Sequence, residues 1–197
     1  MRYSQTRHYG VGGSFEEQLD VPGFSLATFG GTDILVGQTD AQGNLLQLVS
    51  GGSRLDDHLA DIAQTINNQL IVIGTFWLEA QFDTLILTSN GSAQGVFLVS
   101  YDEALKVEWG KSISASRAIT VETLETDTSG NIWMIGSFSG NLLLGDSLLF
   151  STMQEVFMLL CFDSTGKMIT AFRGNESVKK YRKINSEYDR WQHRFYR

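Results

Sequence analysis

Asp56, Asp57 and His58, with Asp61 shortly after, form the densest group of ligand-capable side chains in the chain. An imidazole beside carboxylates suits a divalent-metal site or an acid/base pair. Adjacent residues of an extended strand point to opposite faces, however, so two neighbouring aspartates do not turn to one ligand there. The expectation is a solvated loop leading into a strand, with no bound metal. Together with Arg117 and Glu122, these residues would have to converge on one cavity to build a carboxylate enzyme such as a hydrolase or lyase.

The other patterns point away from catalysis. Asp40, Asp127 and Asp163 each open a D-x-x-G turn, which offers calcium one carboxylate where six to eight oxygens are needed, so these read as capped structural turns. His8, His58 and His193 stand in unrelated contexts, and no G-x-S-x-G, H-E-x-x-H or P-loop pattern occurs. Gly10-Val11-Gly12-Gly13 opens no helix and is not read as a phosphate loop. Cys161 is the only cysteine, so no intrachain disulfide forms. Asn90-Gly91-Ser92 and Asn175-Glu176-Ser177 match the glycosylation sequon, which matters only on a eukaryotic secretory route. No catalytic residue, cofactor or metal is assigned.

These residues sit on a repeat. Gly13-Ser14-Phe15, Gly74-Thr75-Phe76 and Gly136-Ser137-Phe138 recur 61 and 62 residues apart, and Asp40, Asp102 and Asp163 keep the same phase at 62 and 61. Such periods mark stacked units that cannot bury their faces alone. In the third copy, strands are expected over 118–125, 132–138, 156–162 and 167–172. A small hairpin of 142–144 with 148–150 turns about Gly145-Asp146. The second copy gives 59–66, 69–76, 96–101 and 107–111, and its last turn, with Leu105 where the third copy has Gly166, is expected to be built differently. The first gives only 9–15, 34–39 and 45–49. Four antiparallel strands per copy are the content of one propeller blade. The fold class is therefore all-β: a partial propeller of about three blades, with an incomplete first blade at 1–52, a second at 53–112 and a third at 113–174. Asp56, Asp57, His58, Asp61, Arg117 and Glu122 would then lie at the mouth of its channel. Because the chain begins in mid-repeat, it reads as a fragment of a longer repeat protein.

The stretch Asp127-Thr-Ser-Gly130-Asn131-Ile-Trp133-Met-Ile-Gly136-Ser-Phe138 resembles the first half of the bacterial SBBP-type β-propeller repeat. Gly30-Gly31-Thr32-Asp33-Ile34-Leu35-Val36, Asp40-Ala-Gln-Gly43-Asn44 and Trp109 resemble its second half, and the likeness runs over roughly 9–174. It departs where Gln69 replaces Asn and where Gln47 and Thr170 replace Trp. The resemblance implies a secreted or cell-surface bacterial protein. The amino terminus itself lacks the apolar segment of a signal peptide, and no run reaches the ~20 apolar residues that span a bilayer.

Of the chain's net charge of −7, residues 175–197 contribute seven Lys/Arg against three acids, a net of +4 that leaves the rest at −11. So acidic a body argues against nucleic acid as a partner. Within that tail Val178, Tyr181, Ile184, Tyr188, Trp191 and Phe195 fall on one face of an expected amphipathic helix. The stripe would dock on the acidic body, on an anionic membrane surface or in a partner's groove. The functional expectation is a non-enzymatic module for protein interaction or surface scaffolding. It would associate with a protein partner or with itself through open blade edges. The alternatives are the channel-mouth carboxylate enzyme and a peripheral membrane binder that uses the tail.

Overall fold

The computed structural model describes residues 8–89 and 94–174, so the tail stripe from Val178 to Phe195 lies outside the described residues. Thirteen strands make up the described chain: β1 (Tyr9–Val21), β2 (Phe24–Thr39), β3 (Leu45–Ser53), β4 (His58–Gln64), β5 (Leu70–Trp77), β6 (Glu79–Phe82), β7 (Leu85–Thr88), β8 (Gln94–Tyr101), β9 (Val107–Ala115), β10 (Ala118–Thr126), β11 (Ile132–Leu144), β12 (Ser147–Phe162) and β13 (Met168–Arg173). The fold is all-β, every pairing is antiparallel, and no helix occurs among the described residues. One sheet runs β1-β2-β3-β6-β7. The other runs β13-β12-β11-β9-β8-β5-β4 with β10 on β11, and these sheets do not close into a ring.

The strands without polar alternation are those buried on both faces. In β5, Ile71 and Ile73 belong to one core while Leu70 and Val72 belong to the other, and β8 divides Val96 and Leu98 from Phe97 and Val99 in the same way. Period-two geometry thus places the second copy between two cores, as its unbroken apolar runs require. The first core is completed by Met134, Met158 and Leu160, the second by Ile34 and Val36.

The landmark glycines occupy matching positions in the ladders: Gly13 opposite Leu35, Gly74 opposite Phe97, Gly136 opposite Met158. Their surroundings differ. At Gly74 an added Cβ would run into the His58 carbonyl oxygen and lie 2.5 Å from Phe97 Cζ; at Gly136 it would run into the Thr120 carbonyl oxygen and lie 2.9 Å from Met158 Cε. These carbonyls belong to β4 and β10, which bulge as they cross the glycine. Gly13 has no such strand beside it among the described residues, and its nearest neighbour would be Leu35 Cγ at 4.0 Å.

Each Asp turn works as a cap. Asp40 Oδ1 accepts the amides of Gln42 (2.9 Å) and Asn44 (2.8 Å), Asp102 Oδ1 those of Ala104 and Lys106 (both 2.8 Å), and Asp163 Oδ1 those of Thr165 (2.9 Å) and Lys167 (3.0 Å). Contrary to expectation, the Leu105 turn is built like its glycine counterparts. Leu105 takes φ 53° and donates its amide to Asp102 O at 3.0 Å, as Gly166, at φ 77°, does to Asp163 O at 2.9 Å. Burial of the Leu105 side chain in the second core offsets the left-handed strain.

Two hairpins are longer than their sequence signals. β11 and β12 run continuously through the small hairpin expected at 142–150, and β1 and β2 extend past 15 and before 34 to meet at Pro22-Gly23. There Gly23, at φ 87°, takes a left-handed conformation open to glycine, directly after Pro22 in the first central position of the turn.

Candidate functional site

The extended β1–β2 hairpin creates the most unusual polar environment of the described residues. Glu16 pairs with Thr32 but Gln18 pairs with Ala27, so 28–31 bulges out of β2 opposite Glu17, whose φ is 56°. This bulge packs against the loop at 54–57. Gly30 lies so closely against the Arg54 backbone that a Cβ would not fit, and Gly31 lies against the Asp56 carboxylate, which a Cβ would displace. Asp57 N donates to Thr32 O at 2.6 Å, and Thr32 N donates to Asp56 Oδ1 at 3.0 Å.

Beneath this joint lie two fully buried carboxylates, Asp33 and Asp57. Asp57 Oδ2 accepts the Ser53 amide; its Oδ1 accepts Ser53 Oγ at 2.9 Å and the Trp77 amide at 3.3 Å. Asp33 Oδ2 accepts the Phe29 amide at 2.6 Å, holding the bulge, while its Oδ1 is buried without a hydrogen-bond partner. Gly52 passes between the two acids: a Cβ there would lie 2.7 Å from the Asp33 carboxyl carbon and 2.8 Å from Asp57 Oδ2. Groups so placed are within about 6 Å, where like charges oppose each other's ionisation. Burial raises the Asp57 carboxyl to about 6 against its Ser53 hydrogen bonds, and Asp33 adds to the rise. Burial also raises Asp33, opposed by the Phe29 amide.

The six residues singled out in the sequence occupy separate places. Asp56 and Asp57 serve the joint. Asp61, half-buried, bridges to the next copy, where its Oδ2 accepts Thr123 Oγ1 at 2.6 Å and the Leu124 amide at 3.1 Å. His58, Arg117 and Glu122 are exposed. No group of three His, Cys, Asp or Glu among the described residues is arranged to hold a metal ion. Asp33 was not singled out for chemistry. The signal for it is the glycine pairing: Gly30-Gly31 just before it and Gly51-Gly52 on the neighbouring strand mark backbones in close approach.

An open cleft of about 660 Å³ lies elsewhere, between the β6–β7 hairpin, β9, the β11–β12 turn and the β12–β13 turn. Leu87, Leu144 and Met168 line it together with Lys111, Asp146 and Lys167, and none of the six residues reaches it. Cys161 is buried, and that burial pushes its thiol up to about 12, far from a reactive thiolate. No helix of the described residues is long and apolar enough to cross a membrane. Neither models of protein families nor curated proteins match the chain.

Proposed function

We propose that the three copies are successive blades of a partial β-propeller and that the chain is a non-enzymatic interaction module, scaffolding proteins through its open blade edges. The observation that carries this reading is how the copies interlock. β6 pairs onto β3 of the preceding copy, and the distal end of β11 pairs onto β9. Consecutive copies are thereby hydrogen-bonded into an array, a rigid support from which loops and edges bind.

The first copy supplies the binding edge. Among the described residues β1 pairs only with β2, whereas its counterparts β5 and β11 are each flanked on both sides. An edge of unpaired amides and carbonyls recruits a further strand. Beside it stand Tyr9, 46% exposed, and Val11, 36% exposed, apolar surface that association would cover. The partner is a second copy or another protein, and the acidic body disfavours nucleic acid. The SBBP resemblance supports a bacterial surface or extracellular setting within a longer protein. A carboxylate hydrolase or lyase would need its six residues in one cavity, an arrangement the geometry does not favour.

Sedimentation velocity over a wide concentration range tests the reading. Concentration-dependent association is expected, and Tyr9→Lys with Val11→Lys should abolish it while leaving the circular-dichroism spectrum unchanged. A chain that stays monomeric at every concentration and captures no strand-forming peptide would count against it.

A further inference from the structure

Every hydrogen bond that the described residues give Asp33 and Asp57 comes from a neutral donor: the amides of Phe29, Ser53 and Trp77 and the Ser53 hydroxyl. No Lys or Arg nitrogen is among them. Two buried carboxylates on either side of Gly52 are thus stabilised as anions only by dipoles, and the orphaned Asp33 Oδ1 and Asp57 Oδ2 both lie against the same Gly52 position, the latter 2.8 Å from where its Cβ would be.

We propose that Asp33 and Asp57 share a single proton, with Asp33 Oδ1 accepting from the Asp57 carboxyl, and that this proton latches the bulge at 28–31 onto the loop at 54–57. With one proton the pair carries a single negative charge and Oδ1 gains its missing partner. Release of that proton to water leaves two buried negative charges on the two sides of the joint. Their repulsion then pushes apart the segments that Phe29 N, Thr32 and Ser53 hold together. The joint is closed in acid and loosened above about pH 6.

The surroundings sharpen the effect. Glu16 accepts Thr32 Oγ1 at 3.4 Å and Asp56 accepts the Thr32 amide at 3.0 Å, while Glu17 opposite the bulge, Arg54 in the loop, His58 next to Asp57 and Glu79 next to the Ala80 that pairs with Ser53 stand beside these segments along the chain. Four of these six are acids. A proton bound more tightly in the folded chain than in the unfolded one stabilises the fold in acid, and that stability is lost as pH rises. The window runs from the ordinary aspartate value near 3.9 to about 6. A rise of about two pH units on one proton corresponds to at most about a hundredfold change in the unfolding equilibrium constant.

The test is a carboxyl-carbon NMR titration of the full chain labelled at aspartate, run in a His58→Gln background to keep that imidazole out of the readout. One aspartate signal should titrate near pH 6, and Asp33→Asn, which removes one charge and supplies an amide donor to Asp57, should move that step to lower pH. The Phe29 and Ser53 amides should exchange faster above the midpoint in the parent chain and not in Asp33→Asn. The latch is overturned if every aspartate titrates below about 5, or if Asp33→Asn leaves the step near 6 unmoved. Should Asp33→Asn fail to fold, the titration of the parent chain and its amide exchange across the same pH range decide alone.

Discussion

Replacing each of the three landmark glycines by alanine should not give the same answer three times, because among the described residues only Gly74 and Gly136 lie under a bulged strand, β4 or β10. None of the three has a positive φ, so backbone conformation does not set the outcome. At Gly74 and Gly136 the new methyl would overlap a backbone carbonyl, of His58 and Thr120 respectively, and a side chain at 2.5 Å or 2.9 Å. A carbonyl fixed in a ladder cannot rotate aside, so β4 or β10 must shift. Overpacking of this kind costs about 1–3 kcal/mol, against which the lower chain entropy of alanine returns only ~0.5–1 kcal/mol. The net expectation is a loss of about 1 kcal/mol at each site, or ~2–4 °C in Tm for a chain of this size. At Gly13 the nearest neighbour is 4.0 Å away, only the entropy contribution remains, and Gly13→Ala should be neutral or stabilising by about 0.5 kcal/mol. Urea unfolding of the three variants beside the parent chain measures all of this. A Gly13→Ala loss equal to that of Gly74→Ala would refute the reasoning, because it would mean that an unseen strand also crosses Gly13.

Leu105→Gly should relieve ~1–2 kcal/mol of left-handed strain but forfeit the ~1.5–3 kcal/mol of burying leucine, a net loss of about 1 kcal/mol by urea unfolding. Asp61→Ala should cost about 1–3 kcal/mol, since it leaves the Leu124 amide and Thr123 hydroxyl of the adjacent strand unpartnered. The turn carboxylates give the fold an acid limit. Hydrogen bonds from Asn44 hold Asp40 below the usual range, those from Thr165 and Lys167 do so for Asp163, and Asp127, despite its burial, is held low by Asn131 and Trp133. Their contribution is present above the ordinary aspartate value and is lost as pH falls through the lowered ones. Asp127→Asn should therefore flatten the acid limb of a Tm-against-pH curve below about pH 4.

The parts of this fold that were legible in the sequence are those whose chemistry is local. An Asp followed by a left-handed residue three positions on makes the same turn at Asp40, Asp127 and Asp163, and the phased glycines marked equivalent ladder positions. Leu105 misled because a left-handed leucine is stabilised by burial in a core that joins its neighbours Val99 and Tyr101 to distant residues such as Ile34, Leu70 and Phe82, which the sequence around Asp102 does not show. The outer halves of β1 and β2 were missed because Glu16, Glu17, Gln18 and Asp20 look like loop residues, although Pro22-Gly23 between Val21 and Phe24 is a hairpin signal. The acidic cluster was visible, but its meaning was not. Asp57 finds its partner Asp33 through a four-residue bulge, and spacing along the chain carries no trace of that.

Hydrogen exchange along β1, read at low and high protein concentration, tests most directly whether the first copy presents an open edge for association. In dilute solution, alternate amides between Tyr9 and Phe15 should exchange freely while those of β5 and β11 stay protected, and at high concentration the β1 amides should become protected too. Protection of β1 that is complete in dilute solution, or that concentration leaves unchanged, would contradict it.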